Sequence, residues 1–243
     1  MLRDGEHIDD LQIKGFKLIQ NREKFCFGID AVLLSNFVDI KNGERVVDLG
    51  TGTGVIPVLL AAKTCAEKIV GVEIQQDMVD MARRSVTLNG LKDRIDIIHG
   101  DIAKGAPGLE LGIWDVVVTN PPYKKRGSGI INPDASKAIA RHEIMCTLDD
   151  VIKAAAKLLR PRGRLYMIHR PERLMDIALG MRRERLEPKS IRLIHPKVDR
   201  PPNLLLVEGV LGGGRHLKWL PPLYVYDENG EYTKEVKAIY GRG

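Results

Sequence analysis

Cysteine is scarce in this chain of 243 residues. Its three cysteines, Cys26, Cys65 and Cys146, are isolated, form no CxxC pair and cannot all pair with one another. That excludes a disulfide framework and leads us to expect a reduced, cytoplasmic compartment. No apolar run approaches the roughly 18–20 residues that a membrane span needs, so no membrane partner is expected. The opening stretch MLRDGEHIDD is acidic and polar, unlike a secretory signal. None of the six histidines has metal-ligand spacing, and no metal is expected. Internal repeats and low-complexity segments are also missing.

What remains is the composition of a folded protein, 44% hydrophobic and 29% charged. The length suits one domain over residues 1–243, with a leading segment (1–40), a core (41–212) and a tail (213–243). The formal net charge of +6 hides a split. Residues 1–120 carry 14 basic and 18 acidic side chains, net −4, whereas residues 121–243 carry 24 and 14, net +10. The excess is densest from Lys153 to Arg200, with 14 basic groups against 5 acidic ones.

Short β-rich runs alternate with helical patterns from about residue 45 to residue 210. Strands are expected at Arg45–Leu49, Lys68–Glu73, Ile95–His99, Trp114–Thr119, Arg164–His169, Ile191–His195 and Leu204–Leu211. Helices are expected at Val55–Cys65, Asp77–Leu88 (closed by Asn89-Gly90), from a capping box at Thr147–Asp150 to Leu159, and at Glu172–Leu186. Alternation of this kind implies an α/β fold, a mostly parallel sheet with helices on both faces. Two segments fall outside the rhythm. Lys124–Met145 is a long connection directly after a strand, a length that usually carries function. The tail Trp219–Gly243 has a Pro-Pro break, a strand-like run at Leu223–Tyr226 and an Asn229-Gly230 turn, consistent with a hairpin or an edge element.

The first strand runs into Asp48-Leu49-Gly50-Thr51-Gly52-Thr53-Gly54. Glycines there permit a tight turn and leave backbone N–H groups uncovered beside a helix N-terminus. The spacing is a poor match to the GxGxxG dinucleotide fingerprint, which argues against a nicotinamide dehydrogenase. Asp48 inside the turn would repel a pyrophosphate but suits a ligand bearing an ammonium group. Glu73, at the end of the second strand, can take both hydroxyls of a ribose; taken alone, a strand-end Glu is more often a helix cap or a surface residue. Asp101 follows the third strand. Three acids at three successive strand ends converge on one crevice, since ligands bind at the carboxyl ends of parallel strands. Together they describe a pocket for a nucleoside carrying an amino-acid tail.

The fourth strand ends in Asn120-Pro121-Pro122-Tyr123. An amino nitrogen conjugated to a ring or carbonyl is a poor nucleophile because its lone pair is delocalised. The Asn120 side-chain oxygen and the Pro121 carbonyl can each accept one N–H bond from such a group and help localise the lone pair. Two prolines hold the acceptors preorganised. Tyr123 offers a face for stacking a planar group, worth roughly 1–3 kcal/mol for a base.

VVDLGTGTG, then GVE, then HGDI, followed by NPPY, resembles the class I S-adenosylmethionine-dependent methyltransferases. The resemblance implies a Rossmann-like, mostly parallel seven-stranded sheet and S-adenosylmethionine as cofactor, with S-adenosylhomocysteine as product. It assigns Asp48, Gly50, Thr51, Gly52 and Gly54 to the methionine end, Glu73 and Ile74 to the ribose, and Asp101 and Ile102 to the adenine, with Asn120 beside the cofactor. In that family an upstream segment closes the methionine side, and Phe25–Leu34 looks like it. Asp30 could contact the cofactor or cap the helix Ala31–Val38.

The Asn-Pro-Pro-Tyr pattern resembles methyltransferases acting on adenine N6, cytosine N4 or a glutamine amide. Only 47 residues precede Asp48, fewer than the leading helical domain that glutamine-methylating enzymes carry. No room remains for a DNA target-recognition domain. The resemblance that extends furthest is to the bacterial tRNA1(Val) adenine-N6 methyltransferases. It includes FCFGIDAVLLSNF, Ala140–Glu143, His169–Arg173 and the GEYT tail at Gly230–Thr233. It implies RNA, above all tRNA near the anticodon, as partner. The expected substrate-binding residues are Tyr123, the basic triplet Lys124, Lys125 and Arg126, and Arg141 and His142, though Arg141–Glu143 could equally form a helix-start salt bridge. Protein-glutamine methylation and non-catalytic RNA binding by the same fold remain as alternatives.

Overall fold

A computed structural model describes residues 2–22, 27–121 and 146–241. The strands are β1 (Glu6–Asp10), β2 (Lys17–Asn21), β3 (Arg45–Leu49), β4 (Lys68–Glu73), β5 (Ile95–His99), β6 (Trp114–Thr119), β7 (Leu159–His169), β8 (Leu186–His195), β9 (Leu204–Leu211), β10 (Lys218–Trp219) and β11 (Leu223–Tyr224). The helices are α1 (Ile29–Phe37), α2 (Val55–Lys63), α3 (Gln76–Leu88), α4 (Leu148–Leu158), α5 (Leu174–Arg183) and α6 (Lys234–Ile239).

Among the described residues, seven long strands form the expected sheet, and β10 and β11 bring it to nine. Its order is β10-β8-β9-β7-β6-β3-β4-β5, with β11 also paired to β8. β3, β4, β5, β6 and β7 run parallel, and β9 alone is antiparallel to its neighbours. Strands buried on both faces read as continuous apolar runs, and Val46, Val47, Val116, Val117 and Val118 are fully buried. One apolar layer packs α1 and α2 on the sheet; the other packs α4 and α5 on its opposite face.

Local chemistry sets the helix boundaries. The capping box at Thr147 is present: its hydroxyl accepts from the Asp150 N–H at 3.2 Å, and the Asp150 carboxylate accepts from the Thr147 N–H at 2.9 Å. Helix α2 ends at Lys63 rather than Cys65, and α5 is shorter than expected because Pro171–Arg173 forms a separate 3-10 turn. The β8 strand starts at Leu186, five residues earlier than expected, since β9 pairs with it over its whole length.

One pair of strands was not expected from the sequence. An antiparallel hairpin of β1 and β2 docks on α3, where Arg84 binds Glu6 at 2.5 Å and Lys17 exchanges backbone bonds with the Asn89 side chain. The tail holds both an edge element and a hairpin: β10 and β11 extend β8, and a bridge from Tyr226 to Tyr232 closes the Asn229-Gly230 turn.

Candidate active site

The strand order switches direction between β3 and β6, which opens a crevice at their carboxyl ends. The glycine turn after β3 lines it. Gly50 and Gly52 have φ of +78° and +55°, and a Cβ on either would meet nothing within 4 Å. The left-handed backbone favours glycine, and the open side leaves room for a ligand against the turn. The Gly50 and Thr51 N–H groups donate to the Val72 carbonyl at 2.9 and 3.0 Å, which pins the turn to β4.

Asp48 lies beneath the turn with 0% exposure. Neither carboxylate oxygen, nor the Thr51 hydroxyl, has a hydrogen-bond partner among the described residues. Burial pushes the Asp48 carboxyl up to about 7; the adjacent Thr51 hydroxyl acts in the lowering direction and the Glu73 charge in the raising one. An orphaned buried carboxylate costs stability unless a cation completes it. The α-ammonium of a methionine moiety is such a cation.

Glu73 is 3% exposed and holds three backbone donors. Oε1 accepts from the Ile74 and Gln75 amides at 2.9 Å, and Oε2 from Gly52 at 3.0 Å. Both Oε1 bonds fall before Gln76, the first residue of α3, whose N-cap Gln75 has no side-chain cap bond, so Glu73 braces the lead-in to the helix and is not its cap, and it sits at the crevice edge. Oε1 already accepts two bonds, whereas Oε2 accepts one and retains a lone pair for a hydroxyl. Asp101 caps the turn Ile102–Lys104, accepting from the Ala103 N–H at 3.0 Å, and the Gly100 amide donates to the Glu73 carbonyl at 2.9 Å. Ile102 packs against the α4-side layer.

Asn120 follows β6, and the buried Thr119 hydroxyl donates to the Leu49 carbonyl at 2.9 Å, locking the ends of β6 and β3 together. The Asn120 amide nitrogen donates to Asp30 Oδ2 at 3.0 Å. Asp30 is the second residue of α1, whose N-cap is Gly28, so Asp30 is not the cap. Pro121 is buried beside Asn120. The β6–β7 register carries His169 to the same edge; it is 2% exposed, and its Nδ1 accepts from the Arg170 N–H at 2.7 Å. Burial, reinforced by the Arg173 charge, holds the His169 imidazole down at about 4.

The structure thus gathers Asp30, Asp48, Gly50, Thr51, Gly52, Gly54, Glu73, Ile74, Asp101, Ile102, Asn120 and Pro121 around one crevice. Pro122, Tyr123, Lys124, Lys125, Arg126, Arg141 and His142 lie outside the described residues. Sequence reasoning missed Gly71 and Gly28. A Cβ on Gly71 would sit 2.8 Å from the Thr51 side chain, and one on Gly28 would sit 2.9 Å from Asp30 Oδ1. The glycine inside the strand KIVGVE was the available signal, since strand glycines mark close approach.

The methyltransferase small domain model matches residues 27–183. A tRNA1(Val) (adenine(37)-N6)-methyltransferase of Porphyromonas gingivalis is 32% identical over 206 residues, 82% of this chain and 80% of that protein. A protein of the same name from Tolumonas auensis is 29% identical over 203 residues, 80% of each chain. Among solved structures, one described as a predicted O-methyltransferase from Agrobacterium tumefaciens superposes with a TM-score of 0.72 at 26% identity, over 88% of this chain and 97% of that one. With the glycine turn, the strand-end acids and Asn120-Pro121 in place, the chain belongs to the methyltransferase small domain family and is an S-adenosylmethionine-dependent N-methyltransferase.

Proposed function

We propose that the protein methylates the exocyclic N6 of an adenine in RNA, in tRNA beside the anticodon. The observation that carries this reading is Asn120-Pro121 at the end of β6, on the same edge as the orphaned Asp48 carboxylate and Glu73. The relatives' names supply the adenine and the tRNA.

In this reading the Asp48 carboxylate would pair with the ammonium of the methionine moiety, Glu73 would take the ribose hydroxyls, and Asp101 with Ile102 would border the adenine. S-adenosylmethionine supplies an electrophilic methyl on a sulfonium. Asn120 Oδ1 and the Pro121 carbonyl would accept the two N–H groups of the target amine. Held there, its nitrogen would be aligned to take the methyl, the new N–C bond replacing the C–S bond whose electron pair would stay on sulfur. The extra proton on nitrogen then leaves to water. An oxygen nucleophile has at most one proton and would leave one acceptor unused, which favours nitrogen over oxygen. Catalysis here is alignment and proximity, with no covalent enzyme intermediate. Net +10 in residues 121–243, with Arg170, Arg173, Lys197 and Arg200 after the ends of β7 and β8, favours a polyanion over a glutamine side chain.

The test is transfer of labelled methyl to an unmodified tRNA1(Val) transcript, followed by nucleoside mass spectrometry. Label in N6-methyladenosine is expected. Asn120→Ala should abolish transfer while calorimetric binding of S-adenosylhomocysteine persists. Label confined to protein in a whole-cell extract, or full turnover by Asn120→Ala, would overturn the reading.

A further inference from the structure

We propose that Asp30 is a positioning residue for Asn120, one that selects which end of the catalytic carboxamide faces the substrate and sharpens it as an acceptor. The inference rests on the amino-methylation reading above and adds a residue that acts through another.

A carboxamide has one accepting and one donating end, and the two are nearly interchangeable in shape. If Asn120 were turned the wrong way, its NH2 would confront the amino group of the substrate and repel it. A carboxylate only accepts, so a side chain bonded to Asp30 must present its nitrogen there. The 3.0 Å bond from Asn120 Nδ2 to Asp30 Oδ2 therefore assigns the acceptor end, Oδ1, to the other arm of the planar group.

The contact is built from both sides. Asp30 Oδ1 accepts from the Ala31 N–H at 3.0 Å, which anchors the carboxylate to the first turn of α1. Gly28 leaves the space that its oxygen occupies, since a Cβ there would lie 2.9 Å from Oδ1. Gly28 has φ of −107° and ψ of −176°, a conformation open to any residue, so the lack of a side chain is explained by space and not by backbone strain. On the other side, Thr119 pins the strand end from which Asn120 projects.

The negative charge has a second effect. A charge-assisted bond to the amide N–H draws electron density toward the amide oxygen and strengthens Oδ1 as an acceptor. As the substrate nitrogen attacks the methyl it acquires positive character. A stronger acceptor, with a carboxylate behind it, stabilises that charge more than it stabilises the neutral ground state, so the effect belongs to kcat.

Methyl transfer to the tRNA1(Val) transcript at saturating S-adenosylmethionine, calorimetric affinity for S-adenosylhomocysteine and thermal midpoint should be measured for three variants. Asp30→Ala should lower kcat on the order of 100-fold, as loss of a preorganised electrostatic contact does. Asp30→Asn, which keeps an accepting oxygen but no charge, should recover roughly tenfold of that. Gly28→Ala, which displaces the Asp30 carboxylate without touching Asn120, should also lower kcat. All three should bind S-adenosylhomocysteine within about twofold of the parent. A fall in kcat of less than threefold in Asp30→Asn and Gly28→Ala overturns the proposal, including when Asp30→Ala does not fold. So does weakened binding with unchanged saturating kcat, which would make Asp30 a cofactor ligand. If Asn120→Ala is itself fully active, the amino-methylation reading fails instead, so the two failures are distinguishable.

Discussion

Glu73 reaches from the end of β4 to the amide of Gly52, where Oε2 accepts the N–H at 3.0 Å, while Oε1 accepts from the Ile74 and Gln75 amides that lead into α3. One buried carboxylate thus closes the glycine turn and fixes the Ile74-Gln75 lead-in to the next helix. Glu73→Ala leaves three backbone donors without their acceptor, at a cost of about 1–3 kcal/mol for each group kept from water. Glu73→Gln keeps Oε1 and should be milder. Thermal melts should rank parent, Gln and Ala in falling stability, and calorimetry should rank cofactor affinity in the same order. Equal affinity in all three would remove Glu73 from the cofactor pocket.

Gly71 sits under the turn, and its missing Cβ makes room for Thr51 and Ile97, which would lie 2.8 and 2.9 Å from it. Gly71→Ala overpacks that point at about 1–3 kcal/mol, a drop in Tm of roughly 2–4 °C per kcal/mol in a chain of this size. Thr51 must move, so S-adenosylhomocysteine should bind more weakly as well. Gly209→Ala crowds Met181 behind β9 and serves as a control: it should lower Tm and leave affinity unchanged.

If Asp48 pairs with the ammonium of the cofactor, cofactor binding should depend on pH. Its carboxyl is held up at about 7, above the ordinary 3.8, so between these values the folded chain binds more protons than the unfolded one. Its contribution to stability therefore falls as pH rises from about 4 to 7 and is flat above. An ammonium ligand needs the ionised form. Affinity for S-adenosylhomocysteine should rise with pH up to about 7, by at most tenfold per pH unit, with a proton released on binding. Asp48→Asn should flatten this profile, weaken binding and leave the ligand-free protein at least as stable at pH 8. A pH-independent affinity in the parent would contradict the pairing.

His169 runs the other way. Its folded value of about 4 lies below the ordinary 6.5, so the unfolded chain takes up the proton first as pH falls. The stability it contributes is complete above about 6.5 and is lost progressively down to about 4, up to about 3 kcal/mol. Asn substituted at this position does not titrate. Between pH 7 and 5 the parent should lose more thermal stability than His169→Asn, as differential scanning calorimetry can check.

If the basic half docks RNA, phosphate contacts release counterions. The logarithm of the binding constant should then fall by roughly 0.7–0.9 per contact for each decade of salt. Fluorescence anisotropy of a labelled tRNA across a salt series measures this, and an affinity unchanged by salt would argue against that surface.

The sequence alone determined the parallel core and the three strand-end acids, because the apolar runs Arg45–Leu49, Lys68–Glu73 and Trp114–Thr119 are buried on both faces and end where glycine or a polar residue stops them. The capping box at Thr147 was legible for the same reason: its bonds span three residues. The β1–β2 hairpin was not, since its partner is α3, some 70 residues away, and its polar alternation looks like a surface loop. In the tail, the strand-like run at Leu223 and the Asn229-Gly230 turn were legible, whereas β10 and the pairing of both short strands with β8 were not, because they need the edge that β8 offers. Tertiary structure alone decided three features of the site. Asp48 is buried with no hydrogen-bond partner for its carboxylate among the described residues, Gly71 yields its volume to Thr51, and Asp30 meets Asn120 across 90 residues. Each depends on which atoms end up adjacent after the sheet closes, and residue type and spacing carry no record of that distance.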